Sequence, residues 1–293
     1  MTTIARSAER EGTAEAGRGP RDQRRSALWI YAALIIGLLL LIGPFVWMLL
    51  GSFKTNAELR TVPPTWLPAN WTTQNYEELF TRLDFPRYFM NSTIVAVAVT
   101  ADNLVFCSML GYALAKLNFR GRRLLFLLVL GTLMVPGVVM LTPLFVIVAN
   151  LGLTGSHLGL IVPFLAMPFG VFLMRQFIQG VPDELLAAAR VDGAGEWYIF
   201  WRIVMPLCGA ALATLGILTF LGQWNNFLWP LVAAQNEDIY TLPVALALFA
   251  IDPEVQNYGL QMAGAVVTVL PILILFLVLQ RYFTQGIAMT GIK

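Results

Sequence analysis

Six apolar runs dominate the chain, at roughly 28–51, 91–116, 123–149, 157–178, 203–231 and 259–283. Each comes close to or exceeds the roughly 20 residues a helix needs to cross a bilayer core, so the pattern predicts six transmembrane helices. One polar interval differs from the rest. Residues 181–207, VPDELLAAARVDGAGEWYIFWRIVMPL, mix charged and apolar side chains at helical spacing, which predicts an amphipathic segment outside the hydrocarbon. Residues 1–27, rich in Gly, Ala, Arg and Glu without apolar periodicity, read as a disordered tail. An arginine-bearing start before an apolar run also suits a secretory leader. However, 28–51 is longer than such an apolar region and ends in GSFK, so it reads as a retained first span.

Composition agrees with the pattern: 58% hydrophobic residues against 12% charged in 293 residues is more apolar surface than a soluble domain buries. Six spans put both termini on one side, and the basic residues choose it. Arg6, Arg10, Arg18, Arg21, Arg24, Arg25, Lys116, Arg120, Arg122, Arg123, Arg175, Arg190, Arg202, Arg281 and Lys293 fall together, leaving Lys54, Arg60, Arg82 and Arg87 of the 19 Lys and Arg for the other face. The larger group is expected in the cytoplasm, with both ends. The 232–258 loop carries Glu237, Asp238, Asp252 and Glu254 and no Lys or Arg, which suits the outer face. Cys107 and Cys208 both fall inside runs, so no disulfide framework is implied. Pro44, Pro136, Pro143, Pro163, Pro168 and Pro271 lie within the runs. Such kinks suit a transporter, although proline is common in membrane helices generally.

Within the 181–203 loop, Pro182 stands at a helix start and Asp183 and Glu184 meet the positive end of its dipole. Leu185, Ala188, Ala189 and Asp192 follow at three- and four-residue spacing, and Ala187, Ala188 and Ala189 leave a slim surface able to enter a groove. Gly193 is a left-handed cap that ends the helix. A second short helix is expected to carry Trp197, Phe200, Trp201 and Val204 as an apolar stripe, with Pro206 at the entry to the fifth span. The pair either docks onto a cytoplasmic partner or lies alone on the membrane interface, which Trp and Arg also favour.

Other chemistries find little support. A phosphate-cradling loop needs a Gly-Lys pair, and the sequence has none, so any nucleotide energy must come from another chain. An ion-driven carrier needs ionisable groups inside the membrane, and Asp102, beside Asn103, is the one candidate, either bonded across a helix interface or serving substrate or gating. His157, the single histidine, beside Ser156 at a span edge, reads as an ordinary surface residue. No catalytic residue or metal site is expected.

The stretch Pro182, Glu184, Ala188-Ala189-Arg190, Asp192-Gly193-Ala194, Phe200, Arg202-Ile203 and Pro206-Leu207 resembles the EAA loop of ATP-binding-cassette (ABC) importer permeases. Further passages resemble the carbohydrate-importing branch, close to the second permease of maltose-type systems: SFKTNAEL, PPTWLPANWTTQNYEELF, Asn91-Ser92, GYALAKLNFRG, Trp224-Asn225 with Phe227 and Pro230-Leu231, and GIAMTGIK. The resemblance implies an all-α, six-helix type I permease in a bacterial inner membrane, occupying 28–293. It implies a second homologous permease, two ATPase subunits that bind ATP and Mg, an extracytoplasmic sugar-binding protein and membrane lipid as partners, with no nucleic acid and no cofactor on this chain. It makes Glu184, Ala187, Ala188, Ala189, Arg190, Asp192, Gly193 and Ala194 the ATPase-coupling residues. Here Ala187 stands where many members have the motif Glu, and Glu184, one turn earlier, is the substitute anion. Sugars are held by planar amides and aromatic faces, which Gln223, Trp224, Asn225, Asn226 and Trp229 would supply along a path with Asp102, unless they form an interfacial belt with interhelical amide bonds. In the 232–258 loop the apolar piece Leu242 to Ile251 matches the loop that reaches into the binding protein, and a re-entrant or lipid-facing helix is the alternative.

Overall fold

The computed structural model describes residues 20–82, 84–251 and 257–290, with side chains for 29–81, 84–250 and 257–278. The main helices are α1 (Pro20–Ser52), α2 (Gln74–Arg82), α3 (Phe85–Lys116), α4 (Arg122–Leu133), α5 (Leu141–Asn150), α6 (His157–Ile161), α7 (Pro168–Gln179), α8 (Asp183–Val191), α9 (Glu196–Ile199), α10 (Gly209–Trp224), α11 (Leu228–Ala233), α12 (Leu242–Ile251) and α13 (Tyr258–Thr290). No strand occurs among the described residues.

Trp29–Ser52, Phe85–Lys116 and Tyr258–Val278 are each long and apolar enough to cross a membrane. Arg122–Leu133 with Gly137–Asn150, His157–Phe164 with Pro168–Gln179, and Glu196–Leu207 with Gly209–Trp224 pass together as bent pairs, giving up to six spans. The third, fourth and fifth runs, each expected as a single span, with proline kinks in the third and fourth, are broken into two pieces, with bends of 100°, 42° and 81°. Proline explains two of the breaks. It disfavours helical geometry in the residue before it and has no N–H to donate, so Val135 before Pro136 and Met167 before Pro168 mark the ends of the preceding pieces. Met167 is extended, at φ −71° and ψ 132°, and α7 restarts at Pro168. The fifth run breaks at Cys208, and its helix stops at Trp224, well before the expected end at 231. Pro44 and Pro271 sit inside unbroken helices.

Two starts also differ from expectation. The first helix begins at Pro20, so the end of the segment read as disordered is helical, while residues 1–19 lie outside the described residues. The second begins at Phe85, ahead of Asn91, because Pro86 fits a first helical turn, where its missing N–H costs nothing.

Helix α3 is the spine, packed against α7 and α10. Gly111 permits its approach to α7: a Cβ there would lie 2.9 Å from the Arg175 backbone nitrogen, which no larger residue could accommodate in place. Asn103, 0% exposed on α3, repairs the break before α7. Its amide donates to the Phe164 carbonyl at 2.6 Å, and its Oδ1 accepts the Met167 N–H at 2.9 Å, the two groups the unwound turn sets free. Cys107 and Cys208 are buried and unbridged. By contrast, α1 leaves nearly its whole length of Leu and Ile uncovered and packs on α13, while no side chain of α4 is buried. Apolar surface of that extent needs lipid or a partner.

Candidate functional site

Helix α8 forms for the reasons its sequence gives. Pro182 precedes it, Asp183 and Glu184 occupy its first turn and Arg190 its last, each charge opposing the nearer end of the dipole. Its end is a Schellman turn. Gly193 lies at φ +84°, its N–H donates to the Arg190 carbonyl at 3.1 Å, and the Ala194 N–H donates to the Ala189 carbonyl at 3.0 Å. Leu186 is buried and Ala189 half-buried in a core of Tyr112, Met174, Ile178, Ile199, Phe200 and Val204. Glu184, Ala187, Ala188 and Val191, at i, i+3, i+4 and i+7, face outward together, and Val191 is 87% exposed.

Polar braces fix this helix to the spine. Lys116, at the end of α3, donates to the Val181 carbonyl at 2.6 Å and to Asp183 Oδ1 at 2.7 Å, holding the Asp183 carboxyl below its ordinary range through that hydrogen bond. One helical turn earlier, the Tyr112 hydroxyl donates to Glu196 Oε2. Glu196 in turn accepts from Arg190 Nε at 2.7 Å and from a second guanidinium nitrogen at 3.3 Å, so α8 and α9 are clamped by a forked pair. The sequence reading missed Tyr112, Lys116 and Glu196. Tyr112 and Lys116 sit four residues apart on one helix face, within the passage GYALAKLNFRG, and that spacing was their available signal.

The second half of the loop departs from the expected stripe. Residues Phe200–Val204 form a π turn. The wider turn brings Ile199, Phe200 and Val204 inward and leaves Trp197, 64% exposed, and Trp201 outside, so the four side chains do not share a face.

The residues expected along the substrate path are not brought together. Trp224 is 1% exposed: its ring stacks on Phe220 at 5.7 Å, meets Phe89 edge-on at 5.5 Å, and its indole N–H donates to the Thr268 carbonyl at 3.0 Å. It is a core side chain with no face free for a sugar. Trp229 is likewise buried, its N–H on the Gly159 carbonyl at 3.1 Å. Gln223 is buried and accepts from Asn226 at 3.3 Å, whereas Asn225 is exposed and Asn226 half-buried. Asp102 is half-buried on α3 with no hydrogen bond or ion pair among the described residues.

At the opposite end of the bundle the start of α3 grips the loop before α12. Tyr88 donates to Glu237 Oε1 at 2.6 Å, Arg87 pairs with Asp238, and the Asn91 amide donates to the carbonyls of Asp238 and Tyr240 at 2.8 and 3.0 Å. His157 is not the ordinary surface residue expected. It is half-buried, with Nε2 2.9 Å from Asn91 Oδ1. The apolar piece Leu242–Ile251 is a separate helix with the bounds read from sequence; Leu242 is fully buried, which argues against a lipid-facing role for its first turn.

Comparison with known proteins places this architecture. The chain is 40% identical over 253 residues to the arabinooligosaccharides transport system permease protein AraQ of Halalkalibacterium halodurans, covering 85% of this chain and 90% of that protein. It is 34% identical over 270 residues to the diacetylchitobiose uptake system permease protein NgcG of Streptomyces coelicolor, covering 91% and 89%. Its fold superposes with a TM-score of 0.82, at 24% identity and over 92% of this chain and 100% of the other, on a chain of a bacterial ABC transporter involved in the import of the acidic polysaccharide alginate. Residues 108–289 match the family described as binding-protein-dependent transport system inner membrane component, and the chain belongs to that family, as a permease subunit of the ABC importer class.

Proposed function

We propose that this permease passes sugars or oligosaccharides, delivered by an extracytoplasmic binding protein, between itself and a second homologous permease, driven by two ATPase subunits, one of which docks on α8. The observation that carries the coupling role is the construction of α8: closed by the Gly193 turn at its C-terminus, braced to α3 by Lys116 and to α9 by Arg190 and Glu196, it leaves one slim face of Glu184, Ala187, Ala188 and Val191 uncovered. A helix held this firmly transmits displacement to α3, α7 and α10 with little loss. Its alanines let a partner backbone approach closely, and Glu184 supplies the anion that Ala187 lacks. ATP and Mg on the partner subunits supply the energy. The carbohydrate substrate is supported by the relatives named above, an arabinooligosaccharide and a diacetylchitobiose permease. In this reading Asp102, which has no hydrogen bond or ion pair among the described residues, lines the path with Asn225 and Asn226, and the α8 end and both termini lie in the cytoplasm.

The test is to extract the tagged chain from native membranes in mild detergent and identify what co-purifies. An ATPase and a second six-span permease are the expected companions, and uptake by the reconstituted complex should follow a sugar presented on its binding protein. A chain that emerges alone, or a complex whose hydrolysis is unaffected by Glu184→Arg, would overturn the assignment of α8.

A further inference from the structure

Near the turn between α3 and α4, Arg122 and Arg123 open α4 and Arg175 approaches from α7. The three line one cavity of about 360 Å³, whose other walls are Leu114, Phe126, Leu127 and Leu130. No acid among the described residues pairs with them. Arg122 donates to the Leu117 carbonyl at 3.1 Å and to Asn118 Oδ1 at 3.3 Å, and Arg175 donates to Gln179 Oε1 at 3.3 Å, all neutral acceptors. Arg175 lies on the Phe126 ring, 3.7 Å from its centroid, and its Nε is buried with no acceptor, a donor that an anionic oxygen in the cavity would satisfy. The positive end of the α4 dipole adds to the charge of Arg122 and Arg123 instead of offsetting it. A second hollow of about 830 Å³ shares Arg122, Arg123 and Leu127 and adds Arg120 and Leu124, and it leads onto the exposed leucines 124, 127 and 128 of α4.

A cationic cavity opening directly onto an exposed leucine stripe has the chemistry of a phosphate headgroup followed by an acyl chain. We propose that it binds an anionic phospholipid, with the phosphate between Arg123 and Arg175 and a chain along Leu127 and Leu130. The bound lipid tethers α4, which buries none of its own side chains, to α7 and so to the core that carries α8. The inference rests on the chain's membrane family and not on the coupling role of α8.

The assembled transporter is reconstituted in phosphatidylglycerol nanodiscs, transferred to detergent, and its retained lipid measured by native mass spectrometry. Wild type should retain phosphatidylglycerol; Arg123→Ala should weaken retention about fivefold and Arg123→Ala with Arg175→Gln about 25-fold, the scale of one and two cationic side chains at an anionic lipid. Arg123 makes no hydrogen bond or ion pair among the described residues, so its alanine variant should keep the fold and the test stands even where the double variant fails to assemble. Arg202→Ala, outside the cavity, should retain lipid like wild type. Equal retention by wild type and Arg123→Ala, equal loss by Arg202→Ala, or equal retention of phosphatidylcholine would each overturn the site. Displacement of the lipid by millimolar inorganic phosphate would assign the cavity to free phosphate and overturn the lipid proposal.

Discussion

Asn103 and Asp102 are neighbours on α3 with opposite roles. Asn103, 0% exposed, satisfies a carbonyl and an N–H that the break before Pro168 has deprived of helical partners. Interhelical hydrogen bonds in membrane proteins average about 0.6 kcal/mol, because the separated groups find other partners. Buried groups that cannot re-pair cost about 1–3 kcal/mol each. Phe164 and Met167 are fixed backbone at an obligatory break, so the larger scale applies, and Asn103→Leu should destabilise by about 2–5 kcal/mol in thermal unfolding of the detergent-solubilised protein. A loss below about 1 kcal/mol would show that the break finds other partners. Asp102→Asn removes no bond among the described residues and should leave the melting temperature unchanged, with any effect confined to uptake. The charge of Asp102 drew notice in the sequence. The weight of Asn103 could not be read there, since a break on another helix creates it.

Helix α8 was legible because everything that makes it is local: the acids in the first turn, Arg190 in the last, and Gly193 where the chain must turn left. Gly193→Val forces a β-branched residue to φ +84°, at a cost of about 1–2 kcal/mol, although a Cβ there meets nothing within 4 Å. The protein should still insert and assemble, but ATP hydrolysis should run uncoupled from uptake; normal uptake by the variant would argue that the turn is no lever. The brace to α3 makes a separate prediction about pH. Asp183 is held below its ordinary range by the hydrogen bond from Lys116, so its stabilising contribution is complete above roughly pH 4, the ordinary carboxylate range, and is lost as pH falls through its lowered value. Hydrogen exchange of the amides at 183–186 should therefore accelerate in acid beyond its intrinsic pH dependence. Asp183→Asn should abolish that extra acid response, and an unchanged response would assign the effect elsewhere. The π turn was not legible, because its residues fit a 3.6-residue period just as well and packing of Phe200 and Val204 against the spine decides between the two.

At the scale of the whole molecule, the number of apolar elements followed from hydropathy, but their breaks set where the residues proposed for the path lie. Hydropathy cannot register a turn at Cys208 or a stop at Trp224, since both fall inside one continuous apolar run. Trp224 lies in the core at the end of the helix, and Asn225 and Asn226 lie beyond it, one exposed and one half-buried, so residues adjacent in sequence differ in burial and only the two amides are left for the proposed path. Trp224 joins α10 to α3 through Phe89 and to α13 through the Thr268 carbonyl. Trp224→Ala should thus cost about 3–5 kcal/mol, and uptake should fall in proportion to the amount of assembled protein. Trp224→Phe keeps an aromatic ring against Phe220 and Phe89 and gives up a single hydrogen bond. It should preserve assembly and uptake per molecule, whereas a direct sugar contact would raise the half-saturating substrate concentration. Asn225→Ala should show the reverse pattern. Its amide donates to the Leu221 carbonyl in the last turn of α10 at 2.9 Å from an exposed position, so assembly should be normal while uptake per molecule falls. Measuring membrane abundance and initial uptake rate together separates the two roles. Should Trp224→Phe lower affinity at full abundance, the closed aromatic cluster would have to open during transport, and the ring would belong to the path after all.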